Sequence, residues 1–566
     1  MDLSQIRRRQ AWRFSRSEAR RGMLISLALL APIASAAGQD PAAGLADGFA
    51  ADLSAECARG DSLKLEALWT DIRGLATSSE LEEWEARPTS TRCAMLGDML
   101  AERAMLAGLT VPERLAVHYQ RLARARADWG LRSKRVQAGA ADSIGRHPDL
   151  MFDDRGFIYL RMGEPDEVAY AIAGPDDSMG NRVEGWRYDR PEGARIFFFS
   201  PVSITGVGVE DFRLLDAPWR AVGEKYAATQ LDLVDLADIE IEGYGESPLK
   251  NLLLSFQGLD PYYATLAYRS VRGGTSLLQD LNEERLRTMG DIKFASDSVP
   301  DAPDLDPVLR FAWERLRFFN PASGGTVVWL VAAARGEDLT EEVDAEGRSV
   351  YRLDLVAAVQ LGNAVSRDSV RIETRLPMTL GDEDALVSRI PVSVGPGEHP
   401  FTLVVKDGNA EDGPAGNWAR GVAIGLAPSD LPEISDIAVA ADSGGTWTRD
   451  GETFLAASPS HVTGPDGEIH LYFEVYGVSA ASPYSVEIRV VPEESADRMW
   501  EIAAGEAAFR MSFASEMPAT GGIGSHHLRV DLSDTPAGAY TLGIRINETA
   551  TGRQSLPTVT PVLRPD

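Results

Sequence analysis

Apolar residues recur at intervals of three and four positions between residues 51 and 146, which is the spacing of a helical face. Leu65, Trp69 and Ile72 illustrate this spacing. We therefore expect a helical region there. The preceding residues 37–50 are rich in Ala, Gly, Asp and Pro, and this composition predicts a flexible linker.

The period shortens from that of a helix to that of a strand near residue 155. Phe157–Met162 is predicted to be a short apolar strand. It ends at Gly163, where turn residues begin. A hairpin, a third strand and a helix then complete a small α+β domain over 147–240. The ranges expected for these elements are Trp186–Tyr188, Arg195–Phe199, Val207–Leu215 and Glu224–Asp238.

Residues 241–320 have a mixed pattern, which we interpret as a helical connection between domains. One helix is predicted around Leu277–Met289. A second helix is predicted from the spacing of Leu309, Trp313, Leu316 and Phe319.

Short strands separated by Gly, Asp and Pro fill the rest of the chain, in two ranges, 321–428 and 429–566. In the second range Ile469–Tyr476 alternates strictly between two faces. The strands expected in the first range are Val327–Ala333, Tyr351–Leu361, Ser369–Arg375, Leu386–Val394, Phe401–Val405 and Trp418–Leu426. The predicted fold class is therefore multidomain, α+β and all-β: a helical N-terminal region, a small α+β signature domain and two immunoglobulin-like β-sandwich domains.

Residues 1–36 have the three parts of a signal peptide. Seven Arg precede an apolar run over Met23–Ile33, and Ala34-Ser35-Ala36 supplies small residues for cleavage. The apolar run has about 11 residues, which is short for a bilayer span, and an uncleaved anchor stays as the alternative. We therefore expect an exported protein that is periplasmic, outer-membrane-associated or secreted, with no transmembrane helix in the mature chain.

Removal of the signal peptide makes the protein more acidic. The 566-residue chain has a formal net charge of −29 at pH 7. Residues 1–36 contribute +5, from seven Arg against Asp2 and Glu18, so the mature chain carries −34. A charge of this sign disfavours binding to nucleic acid and to anionic membranes.

The chain has two cysteines, Cys57 and Cys93. Exported proteins meet oxidising conditions, so we expect one disulfide that closes the helical N-terminal region. The alternative is two separate buried thiols. Two cysteines are too few for a four-thiolate zinc site, and no cluster of histidines accompanies them.

The stretch Asp154–Glu167 reads Asp-Arg-Gly-Phe-Ile-Tyr-Leu-Arg-Met-Gly-Glu-Pro-Asp-Glu. It resembles the signature of the GWxTD-domain family of exported bacterial proteins. Other segments resemble that family's preceding helix, its hairpin and its terminal sandwich. These segments are Thr110–Glu113, His118–Ala123, Glu184–Tyr188, Ile196–Phe199, Leu471–Tyr476 and Pro536–Tyr540.

The resemblance covers 110–215 well and 430–566 loosely, as in a divergent member. The Gly-Trp-x-Thr-Asp text that gives the family its name is absent. Membership implies an exported multidomain protein, and it brings no established catalytic residues to carry over.

The signature region concentrates charged and aromatic residues that suit recognition. Arg offers a bidentate fork, and Trp and Tyr offer rigid contact area. The candidate binding surface, for an anionic or aromatic segment, consists of Arg155, Tyr159, Arg161, Glu164, Asp166, Trp186 and Tyr188. In the alternative interpretation, Arg161 pairs with Glu164 or Asp166 and only holds the turn in place.

Catalytic and metal motifs give little support for an enzyme. The chain has no His-Glu-x-x-His pattern and no Gly-x-Ser-x-Gly elbow. His526 and His527 point to opposite faces if they lie in a strand. Asp176, Asp177 and Asn181 offer oxygen ligands for calcium, but their spacing is not that of an EF-hand loop, and we predict neither a metal nor a cofactor.

Our leading hypothesis is a non-enzymatic protein that binds an envelope protein or a glycan. The competing hypothesis is a periplasmic hydrolase that acts on polysaccharide or peptide through carboxylates of the signature domain. A cleft with convergent carboxylates beside Glu164 and Asp166 would favour the hydrolase. A flat domain with an exposed Trp186 would favour binding.

Overall fold

The computed structural model describes part of the chain, all of it within Pro41–Asp566. Several predictions lie outside the described residues: the signal peptide, most of the linker, Cys57, the calcium candidates and the helix at 224–238. The described residues are 49, 53, 62–131, 152–172, 182–190, 193–201, 211–221, 248–270, 275–297, 303, 305, 309–320, 324–381, 384–410, 415–426, 431–440, 447–449, 452–454, 459, 461–464, 466–502, 507–519 and 522–565.

The N-terminal region is helical, as its apolar spacing predicts. A capping box begins α2, in which Thr77 and Glu80 bond each other's backbone N–H, and Thr110 and Glu113 begin α4 in the same way. The elements are α1 (Ser62–Ile72), a 3₁₀ turn (Arg73–Leu75), α2 (Ser78–Ala86), α3 (Thr89–Leu106) and α4 (Val111–Asp128). Their apolar faces form one core with the element that follows.

The predicted strand at Phe157–Met162 is wrong: α5 is a helix over Asp154–Met162. The Asp153 carboxylate accepts the Arg155 N–H at its start, and Gly163 ends it with a φ of 83°. The helix is buried almost all round, so its short apolar run has no polar face to show a helical period.

A four-stranded antiparallel sheet follows, in the order β1-β2-β3-β4. Its strands are β1 (Glu167–Ile172), β2 (Arg182–Tyr188), β3 (Arg195–Pro201) and β4 (Phe212–Leu215). The predicted hairpin is confirmed as β2 and β3, and the third strand as β4 over its last four residues. One face of the sheet packs on α5 and the N-terminal helices.

The other face packs on helices. These are α6 (Pro248–Ser255), α7 (Tyr262–Ser270) and α8 (Thr275–Asp297). The predicted helix at Leu277–Met289 is confirmed within α8. Because helices cover both faces, this small sheet is a middle layer.

The helix predicted from Leu309 to Phe319 is wrong, because Phe311–Asn320 is the strand β5. Trp313 lies against Phe401 of the first sandwich, and Leu316 and Phe318 enter a core shared with the second. Both faces of β5 therefore carry apolar residues. As a result, apolar residues recur from Leu309 to Phe319 at intervals of three and four positions, although β5 is a strand.

Two sheets share one core in the first sandwich. One sheet has the order β10-β6-β5, from β6 (Gly325–Arg335) and β10 (Ala385–Val394). The other contains β7 (Glu342–Val343), β8 (Ser349–Leu361), β9 (Ala364–Leu376), β11 (Gly397–Asp407) and β12 (Gly416–Gly425). The six strands predicted here are confirmed. A 3₁₀ turn lies at Gly336–Asp338.

The C-terminal strands also form two sheets around one core. One has β17 (Glu468–Tyr476) beside β13 (Glu433–Ile434), β14 (Ala438–Ala440) and β20 (Gly524–Asp531). The other has the order β19-β18-β21-β22, from β18 (Pro483–Pro492), β19 (Phe509–Glu516), β21 (Gly538–Glu548) and β22 (Thr558–Arg564). A small hairpin, β15 (Trp447–Arg449) with β16 (Glu452–Phe454), and a 3₁₀ helix at Glu493–Arg498 complete the unit.

The first sandwich contacts the rest of the molecule on two sides. On one side Arg367 donates to the Gly108 carbonyl and pairs with Glu113 at the start of α4. On the other, Leu316 and Phe318 of β5 share a core with Tyr472 of β17. It therefore links the helical region to the C-terminal sandwich.

Candidate ligand-binding cleft

The helical layer covers the four-stranded sheet unevenly. Val168 and Tyr170 of β1 stand opposite Trp186 and Glu184 of β2 in the strand register, so all four share one face. Trp186 is 2% exposed, whereas Tyr170 is 65% exposed. The face is therefore buried at β2 and open at β1.

A cavity of about 430 Å³ lies at this open strip. The end of α4, the start of α5, the turn after α5 and strands β1, β2 and β4 form its wall. The side chains that matter below are Asp128, Trp129, Asp153, Arg155, Glu164, Tyr170, Arg182, Glu184, Trp186 and Phe212.

Arg155 holds the centre of the wall together. Its Nη2 lies 2.7 Å from Oδ2 of Asp153, and its Nη1 lies 3.1 Å from Oε2 of Glu184. The guanidinium also lies 3.7 Å from the ring centroid of Phe212, a cation–π contact. The side chain is 13% exposed, so these partners fix its position.

The two carboxylates beside Arg155 have further partners. Oδ1 of Asp153 accepts the Arg155 N–H, and Oδ2 accepts the Phe212 N–H at 2.9 Å, which ties α5 to β4. Oε1 of Glu184 accepts the Trp186 indole N–H at 2.6 Å. Burial raises the pKa of Asp153, and the positive charge of Arg155 opposes that rise.

A second ion cluster lies at the rim. Nη1 of Arg124 is 2.8 Å from Oε2 of Glu164, and its Nε is 3.2 Å from Oδ2 of Asp128. Its guanidinium lies 5.2 Å from the ring centroid of Tyr159. In both clusters one guanidinium is therefore shared by two carboxylates.

Three of the seven residues predicted as a binding surface line this cavity: Arg155, Glu164 and Trp186. Tyr188 is buried and donates to the Gly163 carbonyl. Tyr159 is buried, with its ring centroid 4.9 Å from that of Trp129.

Arg161 and Asp166 also lie outside the cavity wall. Nη1 of the buried Arg161 donates to the Ala76 carbonyl at 2.8 Å, and Nη2 donates to the Ser296 carbonyl at 3.1 Å, so it joins α5 to the N-terminal region and to α8. Asp166 is exposed and accepts the Asp189 N–H.

Sequence reasoning missed Tyr170, Glu184 and Asp153 as parts of the cleft. The signal for Tyr170 lies in β1, where Val168, Tyr170 and Ile172 occupy alternate positions. Because the pattern of the segment just before β1 predicts a strand there, no strand is assigned to this alternation.

Metal-ligating side chains do not gather in the part of the chain that the structure describes: no three His, Cys, Asp or Glu lie where they could hold an ion. Cys93 is disulfide-bonded, and its predicted pairing with Cys57 stays a prediction. His526 and His527 point to opposite faces, as expected of a strand. His526 stacks on Phe473 with a centroid distance of 5.0 Å, and burial lowers its pKa to about 4.

Comparisons with known proteins leave the chain without an identified relative. No family model matches it, and no curated protein matches it. Two solved structures of Bacteroides uniformis beta-glucuronidase 2 are similar at 7% identity, one a calcium-binding mutant and one covalently bound to cyclophellitol-6-carboxylate aziridine. Each match covers 42% of this chain and 26% of the other, with TM-scores of 0.16 and 0.17. Scores this low do not identify a shared fold.

Among the helices in the described ranges, none combines the length and the apolar character that crossing a membrane requires.

Proposed function

We propose that the protein is an exported, GWxTD-like binding protein without catalytic activity, and that it binds its ligand in the cleft beside β1. In this proposal the two sandwiches are immunoglobulin-like modules that act as spacers or further interaction surfaces. The partner is a component of the bacterial envelope, a protein or a glycan.

One observation carries the proposal: Tyr170 is 65% exposed beside a wall whose buried polar groups are held in place. A rigid aromatic side chain next to a few fixed polar groups is a common composition for a recognition site. The ion pairs of Arg155 position Trp186 and Glu184 before any ligand arrives, which reduces the entropy that binding costs.

The hydrolase is the second candidate. The cavity wall contains carboxylates, Glu164 among them, and Trp186 is 2% exposed, so the exposed Trp186 expected of a binding surface is wrong. Burial also raises the pKa of Asp153. A general acid, however, must direct its proton at the substrate. Both oxygens of Asp153 accept hydrogen bonds from within the protein, and Glu184 binds Arg155 and Trp186. These bonds suit structural roles better than proton transfer.

The test compares two tyrosines of equal exposure. Tyr170 and Tyr268 are each 65% exposed, and Tyr268 lies on α7, outside the cavity wall. Arrays of envelope glycans and peptides are probed with the wild-type protein, Tyr170→Ala and Tyr268→Ala. We expect Tyr170→Ala to lose about tenfold or more in affinity for the captured ligand, and Tyr268→Ala to lose none.

Two results would contradict the proposal. One is a captured ligand whose affinity is unchanged by Tyr170→Ala. The other is cleavage of an array glycan or peptide that Glu184→Gln abolishes, which would favour the hydrolase.

A further inference from the structure

The strand β1 lies at the edge of its sheet. The sheet order is β1-β2-β3-β4, and β2 is the one strand that pairs with β1 in the part of the chain the structure describes. The outer edge of such a strand presents backbone N–H and C=O groups that an added strand can pair with.

This edge strand is short and begins with one charged residue, Glu167, but it lacks the Lys, Arg and Pro residues that often protect an edge. Its sequence, Glu-Val-Ala-Tyr-Ala-Ile, contains no Lys, Arg or Pro, and Val168, Tyr170 and Ile172 are 38%, 65% and 42% exposed.

The same chain protects another edge well. β9 is also at the edge of its sheet, and it carries Arg371, paired with Asp354, and Arg375, paired with Glu373. The exposed apolar edge of β1 is therefore a local feature, since the edge strand β9 of the same chain carries charged residues.

The cleft beside β1 carries surplus negative charge. Arg155 is shared by Asp153 and Glu184, and Arg124 is shared by Asp128 and Glu164. Each cluster therefore has two carboxylates and one guanidinium. The other guanidinium of the wall, Arg182, lies at the far end of β2, opposite Ile172. Cationic groups of a partner are thus favoured at the end of β1 near Val168. This reverses the expectation of an anionic segment, because Arg155 is already paired with carboxylates of the protein itself.

We propose that the partner is a cationic peptide segment that pairs with β1 as a fifth strand. This inference rests on the proposed function and specifies the ligand class for the same cleft. Alternate residues of an added strand point to one face, so Lys or Arg at every second position would lie over the cleft. There they meet the two ion clusters and the ring of Tyr170, which can bind a cation on its face.

The other face of the added strand would be apolar. Ala169 and Ala171 of β1 point away from the cleft, toward the core that α6 and α7 form with the sheet. Apolar side chains at the remaining positions of the segment would extend that surface. The pattern expected of the partner is therefore cationic and apolar residues in strict alternation.

The experiment measures fluorescence anisotropy of labelled peptides with the full-length protein. The probe is a peptide of about ten residues in which Lys alternates with Val. One control peptide has the same composition with the Lys residues in one block. A second control is the alternating peptide with N-methyl groups on every second residue, which removes backbone donors. Tyr170→Ala and Tyr268→Ala are measured in parallel.

We expect the alternating peptide to bind, and the blocked and N-methylated peptides to bind about tenfold or more weakly. Tyr170→Ala should weaken the alternating peptide by a similar factor, and Tyr268→Ala should not. Raising the salt concentration should weaken binding, because charge attraction contributes to it.

The outcomes separate this inference from the proposed function. Equal affinity for all three peptides, lost in Tyr170→Ala, would overturn strand pairing and leave binding in the cleft. The same result follows if no peptide binds at about 1 mM while an array glycan depends on Tyr170. Peptide binding that is unchanged by Tyr170→Ala would place the peptide elsewhere and overturn the inference.

Discussion

Arg317 of the first sandwich forms a bidentate ion pair with Asp436 of the C-terminal sandwich. Its Nη2 lies 2.6 Å from Oδ1, and its Nε lies 2.9 Å from Oδ2. The Arg317 N–H also donates to the same carboxylate. The two side chains are 24% and 18% exposed, so water screens them only partly.

This pair should couple the two sandwiches energetically. In a double-mutant cycle of Arg317→Ala and Asp436→Ala, we expect a coupling free energy of about 1 kcal/mol or more. The pair of Arg371 with Asp354 is the control, because Arg371 is 63% exposed and water screens it. Its cycle should give about 0.5 kcal/mol or less. Denaturant titration of the single and double variants measures both, and equal couplings would contradict the prediction.

Asp153 should be essential for the stability of the α+β domain. Asp153→Ala removes the cap of α5 and the bond to the Phe212 N–H, and it leaves the partly buried Arg155 with one carboxylate fewer. We expect a loss of about 3 kcal/mol or more in the free energy of unfolding. Asp153→Asn keeps acceptor capacity and should lose less. Thermal and denaturant unfolding measure both variants. Equal losses would show that the acceptor kept in Asp153→Asn contributes nothing, which would contradict the prediction.

His118 should make the protein sensitive to acid. Its side chain is fully buried, and burial lowers its pKa from the ordinary 6.5 to about 3. Between these two values the unfolded chain is protonated at this residue and the folded chain is not. The free energy of unfolding therefore falls as the pH drops from 6.5 toward 3.

Replacing the titrating ring tests this effect of pH. In His118→Gln the loss of melting temperature between pH 6.5 and pH 4 should be smaller than in the wild type, even if the variant is less stable overall. Melting temperatures by circular dichroism across that range give the slopes. Parallel slopes for the two proteins would exclude His118 as the source of the sensitivity.

Gly163 should resist substitution because of its backbone. With φ at 83° and ψ at −154°, it occupies a region that is nearly restricted to glycine, and an added Cβ would lie 2.9 Å from Nη2 of Arg121. Gly163→Ala should cost about 1–3 kcal/mol. Gly290→Ala in α8 is the control. Apart from its chain neighbours and the nearby backbone of its own helix, no atom lies within 4 Å of its added Cβ, so the substitution should stabilise the helix. A stable Gly163→Ala would contradict the prediction.

The sequence predicted those elements whose local chemistry and periodicity agree. The Thr110 cap and the alternation of Ile469–Tyr476 both led to the right element. Both errors concern segments in which neighbouring elements bury apolar residues on more than one side. Around α5 burial hides the helical face, and in β5 it produces spurious helical intervals.

The cleft could be predicted only in part, because it depends on layers that pack from distant parts of the chain. The charged signature stretch indicated Arg155 and Glu164. The exposure of Tyr170 depends on where the helical layer ends, and the burial of Arg161 depends on carbonyls at positions 76 and 296. Neither fact is encoded in the residues that surround it.

The two-sided attachment of the first sandwich limits how the protein can be dissected. A fragment that ends at residue 428 would uncover Leu316 and Phe318, which the native chain buries together with Tyr472. The complementary fragment would uncover Tyr472 and leave the Asp436 carboxylate without the guanidinium of Arg317. Both fragments would expose apolar surface that is buried in the intact protein, and we expect them to aggregate. Truncation experiments would therefore measure aggregation and not ligand binding.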